Sequence, residues 1–275
     1  MKVGWGKEME KQQSKVSYYA KFVRRKYIVA VQWLFSYKIN FFLFLLAFSL
    51  EISFTFLFWK ILFLNENTLN GWTFKDVFGL MLFMYFFWVI RSIFESGLRR
   101  SFRLIRTGAF DYFLLFPLHP LINIFFYKVT LTSILTNIII FLFLLIYYLL
   151  SVPISFSTVL IAFLFGFFGN ILFLLFFFIL RCFSFWLKEN KFLLILENGT
   201  HFFYKYPLTI TNKFFQFVFT FIFPLIFVVT IPAEILRGNF SFVWILYEIG
   251  MLIALALLAA FVWKKGLEHY ESGMG

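Results

Sequence analysis

Six long apolar runs, each bounded by polar or basic residues, constrain this chain more than any other feature. They lie at about 39–64, 77–96, 131–150, 155–187, 214–236 and 242–263. Each is near or above the ~20 residues that a helix rising 1.5 Å per residue needs to cross the hydrocarbon of a bilayer. The chain is 62% hydrophobic and carries 48 phenylalanines, against the ~45–50% apolar content of soluble domains, so it has more apolar surface than a soluble fold can hide from water. The sequence therefore predicts an all-α integral membrane protein with six transmembrane helices over 39–263 and no soluble module.

The flanks are basic. In 15–38, Val16, Tyr19, Val23, Tyr27, Ala30, Val31 and Leu34 recur at three- and four-residue spacing, and Lys15, Lys21, Arg24, Arg25 and Lys26 cluster elsewhere on the wheel. That pattern predicts an amphipathic helix lying in the membrane surface within a cytoplasmic N-terminus, 1–38. Residues 264–275 form a cytoplasmic tail. A net charge of +12 would suggest nucleic acid in a soluble protein, but here the cations fall between apolar runs, and no nucleic-acid partner is expected. With the N-terminus inside, nine Lys and Arg fall in 1–38, five in 97–130, five in 181–213 and two in 264–275. Lys60, Lys75 and Arg237 remain outside, and Arg91 lies near the inner end of the second run. This asymmetry predicts both termini in the cytoplasm. Trp59, Trp72, Trp186 and Trp263 stand near run ends, where indole rings favour the interface. Met1 to Lys26 has no apolar core for a cleaved leader, so insertion is expected to rely on the first run. The single cysteine, Cys182, predicts a buried thiol and no internal disulfide.

No phosphate loop, zinc-protease, nucleophile-elbow or paired-cysteine pattern occurs, so no catalytic residue is expected. His119, His201 and His269 fall in separate segments, which argues against a shared metal site. The richest stretch is ESGLRRSFRLIRTGAFDYFLLFPLHPL, from Glu95 to Leu121. Arg99, Arg103 and Arg106 form one helical stripe beside a second of Leu98, Phe102 and Ile105, so the second helix should continue past the membrane. Gly108 is placed to end it in the left-handed conformation, Asp111 to cap a short following helix, and Pro117 and Pro120 to stop that helix. The plainer reading is an interfacial helix whose arginines face lipid phosphates.

The run IRTGAFDYFLLFPLHPL resembles the signature loop of ABC-2-type ATP-binding-cassette permeases of the six-helix branch, where an Arg-x-Gly-x-x-Asp element precedes Pro-x-x-Pro. The basic helix running into YKINFFLFLL, the FWKILF…GWTFKDV passage and the ending WKKGLEHYESGMG are similar to the same family in order and spacing. Phe116 stands where the family usually has arginine. The resemblance implies that the loop about 97–130 docks on a separate cytoplasmic ATPase subunit, through Arg103, Arg106, Gly108, Asp111, Pro117 and Pro120. It also implies two permease subunits, as homodimer or heterodimer, around one path in a bacterial plasma membrane. No cofactor is then expected on this chain, because ATP and magnesium would sit on the partner.

Glu51, Asn137, Asn170, Gln216 and Glu248 lie within runs and are candidates for the translocation path. A carboxylate at mid-bilayer costs a few kcal/mol, so Glu51 should face protein or water. It can serve a substrate path or proton relay, or simply a helix-to-helix hydrogen bond, and the amides fit the latter. Gly166 and Gly169 suit close helix contact. Pro224 and Pro232 break the fifth run, and PAEILRGNFS after it suits either a re-entrant element or a kink and loop. KFLLILENGTHFFYKYP, from Lys191 to Pro207, reads as an interfacial helix and loop near the ATPase.

These readings converge on the permease subunit of an ABC exporter. Its aromatic lining favours hydrophobic or amphipathic cargo such as a drug, lipid or peptide. Two other classes stay open: a proton-coupled secondary transporter using Glu51 and Glu248, and a membrane scaffold that transports nothing.

Overall fold

The computed structural model describes residues 3–64, 68–115, 119–187, 195–196, 199–200 and 203–270, with side chains from Ser17 onward, Ser101 and Arg106 excepted. Ten helices organise the described residues: α1 (Val3–Ser36), α2 (Lys38–Leu62), α3 (Phe74–Arg106), α4 (Asp111–Leu114), α5 (Pro120–Phe126), α6 (Leu131–Ser151), α7 (Phe156–Cys182), α8 (Lys213–Ile222), α9 (Ile226–Leu236) and α10 (Phe242–His269). Five of them, α2, α3, α6, α7 and α10, are long and apolar enough to cross a membrane, and α8 with α9 forms a sixth apolar unit bent by 91°. The first, third, fourth and sixth runs thus become helices within about six residues at each end, the second continues ten residues past its run to Arg106, and the fifth is broken.

Polar residues at the helix starts set the boundaries. Thr73 and Asp76 close a reciprocal capping box at α3, and Ser155, Asn212 and Ser241 accept backbone N–H groups at the starts of α7, α8 and α10. Each satisfies amides that lipid could not. The bundle has two ends. At one, the loop end, lie the α3–α6 connection, residues 183–187 and Tyr270; at the other, the far end, lie the α2–α3, α6–α7 and α9–α10 turns. Helix α3 is central and packs on α5, α6, α7 and α9.

Two aromatic cores fill the bundle. The larger joins Trp59, Trp72, Phe83, Phe87, Phe173, Tyr204 and Phe227, and the smaller, at the loop end, joins Leu98, Phe102, Ile105, Phe110, Phe113, Phe178, Phe185 and Trp263. Because acyl chains are as apolar as phenylalanine, the larger core gains little from leaving water. Close packing and edge-to-face ring pairs, worth about 0.5–1.5 kcal/mol each, do more there. Phe87 and Phe173 meet edge to face at 4.9 Å, and Phe83 and Phe163 lie 5.1 Å apart. Glycine permits the closest approaches: a Cβ on Gly169 would overlap the Phe227 carbonyl of α9, and one on Gly166 would lie 3.0 Å from the Phe83 ring. Both expected close contacts are therefore present.

Several expectations are corrected. The fifth run, 214–236, is not one straight span: the chain breaks at Phe223–Leu225 around Pro224 and turns through a right angle. The re-entrant shape therefore precedes Pro232, whereas PAEIL completes α9 and Arg237-Gly238 turns the chain toward α10. Nor does the described part of 181–213 stay at the loop end. Tyr204 packs on Phe87 and Phe173, and Thr209 reaches Trp72 at the far end. Protein packs over Trp59, Trp72 and Trp263, whereas Trp186 is exposed. Cys182 is buried with a free thiol, as expected.

Candidate functional site

Helix α3 carries the loop-end site outward. Its apolar stripe, Leu98, Phe102 and Ile105, is buried while Arg99 and Arg103 are exposed, so the two predicted stripes separate as expected. Phe102 meets Phe178 at 5.8 Å and Trp263 at 6.5 Å. Arg106 is the last residue of α3, and its side chain lies outside the described set.

Gly108 has φ +70°. The Ala109 N–H donates to the Leu104 carbonyl at 3.0 Å and the Gly108 N–H to that of Ile105 at 3.2 Å, the paired bonds of a Schellman ending. The left-handed stop predicted at Gly108 is present. Beyond it, Phe110 is fully buried, 6.0 Å from Phe185, 6.3 Å from Trp263 and 5.5 Å from Tyr270. The Tyr270 hydroxyl donates to the Gly108 carbonyl oxygen at 2.8 Å. Burial, and then the Asp111 carboxylate, push the Tyr270 phenol above its ordinary value.

Asp111 does not cap α4. The helix begins at Asp111 itself, and Phe110, already helical, occupies the cap position with no side-chain bond. The reason is the burial of Phe110, which fixes the chain one residue before the acid can turn back on the helix. Asp111 instead adds negative charge to the first turn. Pro117 lies outside the described residues. Pro120 starts a helix rather than stopping one: it is the first residue of α5, capped by His119 Nδ1, which accepts the Leu121 N–H at 3.3 Å. Helix α5 crosses α3 at Gly97, where a Cβ would overlap the carbonyl oxygens of Ile124 and Phe125. A lone glycine within Glu95–Arg99 is the signal for that crossing.

The five candidate path residues do not converge. Glu51, midway along α2, accepts from Lys205 at 2.7 Å in a cavity of about 280 Å³ lined also by Phe54, Trp59 and Tyr206. Its carboxylate is paired although its side chain stays 43% exposed, and its partner is a lysine that the charge count places in the cytoplasm. The buried Asn137 donates from α6 to the Trp88 carbonyl of α3 at 3.4 Å, a helix-to-helix bond. Asn170 donates within α7 to Gly166 at 2.6 Å. Gln216 donates to the carbonyls of Thr209 at 3.0 Å and Thr211 at 2.8 Å, holding the turn before α8. Glu248 is buried on α10, and its Oε1 has no hydrogen-bond partner among the described residues.

Two charged clusters escape the sequence reading. On α3, buried Arg91 binds Glu95 of the next turn through Nε and, at 2.6 Å, through Nη2. Arg181 of α7 approaches the same carboxylate at 3.8 Å and Arg99 at 3.9 Å. The Arg91 guanidinium also lies 4.9 Å from the Trp88 ring centre. At the far end Arg237 pairs with Glu234 at 2.6 Å and Asp76 at 3.2 Å, donates to the Gly71 carbonyl and stacks 4.2 Å over Trp72. The Asn70-Gly71 turn, with both φ positive, presents that carbonyl. The i,i+4 spacing of Glu95 with Arg91 and Arg99, and the i,i+3 spacing of Glu234 and Arg237, are the hints that sequence offers.

A bundle of this kind, with five full helices, a right-angled sixth unit and an extended α3 ending in a knitted loop, defines a multi-pass membrane protein. The profile of the ABC-2 family transporter protein matches residues 49–273, and the chain belongs to that family. It is thus a membrane transport component, a permease of the ABC type, and the family in general works with an ABC ATPase. No curated protein sequence and no solved structure matches the chain.

Proposed function

We propose that this chain is the membrane subunit of an exporter in the plasma membrane, with both termini cytoplasmic. It moves a hydrophobic or amphipathic substrate using ATP and magnesium bound on a separate ATPase subunit. A second permease subunit and lipid cover α2, which buries only Thr55 and Trp59 and exposes Phe42, Leu46, Leu50, Phe54 and Leu57. The observation that carries the coupling role is the loop-end knot. Gly108 fixes the exit from α3, Phe110 wedges between Phe185 and Trp263, and Tyr270 ties the end of α10 to Gly108. A displacement of the described part of this loop therefore reaches α3, α7 and α10 together.

The test is purification of the tagged chain from its own membranes in mild detergent, followed by mass spectrometry and reconstitution. An ABC ATPase should accompany the chain, and its hydrolysis should rise with the permease present. Gly108→Val should reduce that rise at least severalfold at equal membrane insertion. If no ATPase accompanies folded protein, the exporter reading fails; full stimulation by Gly108→Val would remove the coupling role alone.

A further inference from the structure

At the loop end, α1, the first turns of α2, Arg100 of α3 and the connection from α5 to α6 border a half-open cavity of about 800 Å³, within the size range of small-molecule sites. Its lining is divided by chemistry. Lys26, Arg100 and Lys128 supply three cations, while Trp33, Leu34 and Phe44 supply an apolar wall; among the described residues no Asp or Glu lines it. The nearest acid along α3, Glu95, is engaged by Arg91, Arg99 and Arg181.

Position gives this division its meaning. The cavity's lining includes Asn40 and Phe44 of α2 and Leu131 of α6, all in the first turns of apolar helices, where hydrocarbon gives way to headgroups. Lys26 is drawn inward, 5.7 Å from the Tyr127 ring centre and 5.3 Å from that of Phe22. Burial pushes its ammonium below the ordinary lysine value, a cost that an anion in the cavity would offset. A free anion would leave Trp33, Leu34 and Phe44 facing water. An anion carrying acyl chains satisfies both halves.

From this juxtaposition we infer that the cavity holds the phosphate headgroup of an anionic phospholipid, its acyl chains lying along Trp33 and Phe44. The lipid joins α1 to the start of α6, two elements that share few direct contacts.

The full chain in detergent is titrated with phosphatidylglycerol or phosphatidylcholine bearing brominated acyl chains. Quenching of Trp33 is read as the difference between wild type and Trp33→Phe. Phosphatidylglycerol should quench at a concentration at least tenfold lower than phosphatidylcholine. Each cation near a membrane surface contributes about fivefold in affinity, so Lys26→Gln with Lys128→Gln should raise the phosphatidylglycerol midpoint roughly 25-fold and leave phosphatidylcholine unmoved. Equal quenching by the two lipids, or an unmoved midpoint in the double variant, overturns the inference. So does displacement of phosphatidylglycerol by millimolar inorganic phosphate, which would reassign the cavity to a soluble anion. If the double variant is misfolded by gel filtration, Arg100→Gln alone decides, because its exposed side chain bears little packing: a roughly fivefold rise supports the lipid and none refutes it.

Discussion

Tyr270 donates its hydroxyl hydrogen to the carbonyl oxygen of Gly108 at 2.8 Å, across 162 residues of sequence. One bond thereby fastens the segment after the last helix to the turn that ends α3. Tyr270→Phe keeps the ring against Phe110 and Phe185 and removes only the bond, a loss of about 1 kcal/mol. Amide exchange at 107–115 should speed by about fivefold, with the rest of the protein unchanged. Unaltered exchange there would show that the bond restrains nothing.

The same tyrosine has a pH signature. Burial and Asp111 raise its folded pKa, so the stability it contributes is complete below the unfolded value near 10 and is lost as pH rises toward the folded one. The phenolate absorbance that disappears in Tyr270→Phe should therefore titrate above pH 10. Titration at or below 10 would contradict the arrangement.

Gly97 and Gly250 make a matched pair. A methyl at Gly97 meets the backbone of α5, which cannot yield, whereas a Cβ at Gly250 meets nothing within 4 Å. Gly97→Ala should lower stability by about 1–3 kcal/mol, and Gly250→Ala should hold or raise it by up to ~1 kcal/mol. Thermal melting in one detergent compares them, and equal melting points would rule out the tight α3–α5 crossing.

Glu51 and Lys205 should depend on each other. The faces they leave uncovered lie midway along an apolar helix, toward lipid or a second subunit, so neither charge is screened as a surface pair would be and each needs the other. The readout is exchange of charge: Glu51→Lys and Lys205→Glu should each reduce folded yield, and the two together should restore much of it. No restoration would separate the residues.

Glu95 stands between buried Arg91 and buried Arg181. Glu95→Gln leaves that positive charge without its carboxylate, a cost of about 3–5 kcal/mol for a broken buried pair. Membrane accumulation should fall sharply, and Arg91→Leu in the same chain should recover part of it. Normal accumulation of the single variant would show the site to be wet.

Hydropathy makes five of the six apolar units legible, because a straight helix buried in lipid needs only length and apolarity. It cannot reveal the bend at Pro224, since the same letter serves a shallow kink and a right angle, and the choice depends on Gly169 admitting the Phe227 backbone. Gly108 is legible because a helix-ending glycine has few alternatives. Asp111 is not, because cap and first-turn positions differ by one residue and the burial of Phe110 decides between them. Lys205 misleads a charge count for a related reason: its partner Glu51 lies 154 residues away.

Helix α3 has 33 residues, so it is about 50 Å long at 1.5 Å per residue, more than the ~30 Å of hydrocarbon. It is clasped by α5 at Gly97, which leaves roughly 14 Å toward Arg106 and roughly 35 Å toward Phe74. A rigid rod pivoted there is a lever with a mechanical advantage against force and in favour of travel. If it tilts about that clasp, a push of about 1 Å at the loop becomes about 2.5 Å at the far end, where Arg237 and Asp76 meet. Spin labels at the two ends of α3 would measure that ratio, and equal displacements would mean that the helix slides instead of tilting.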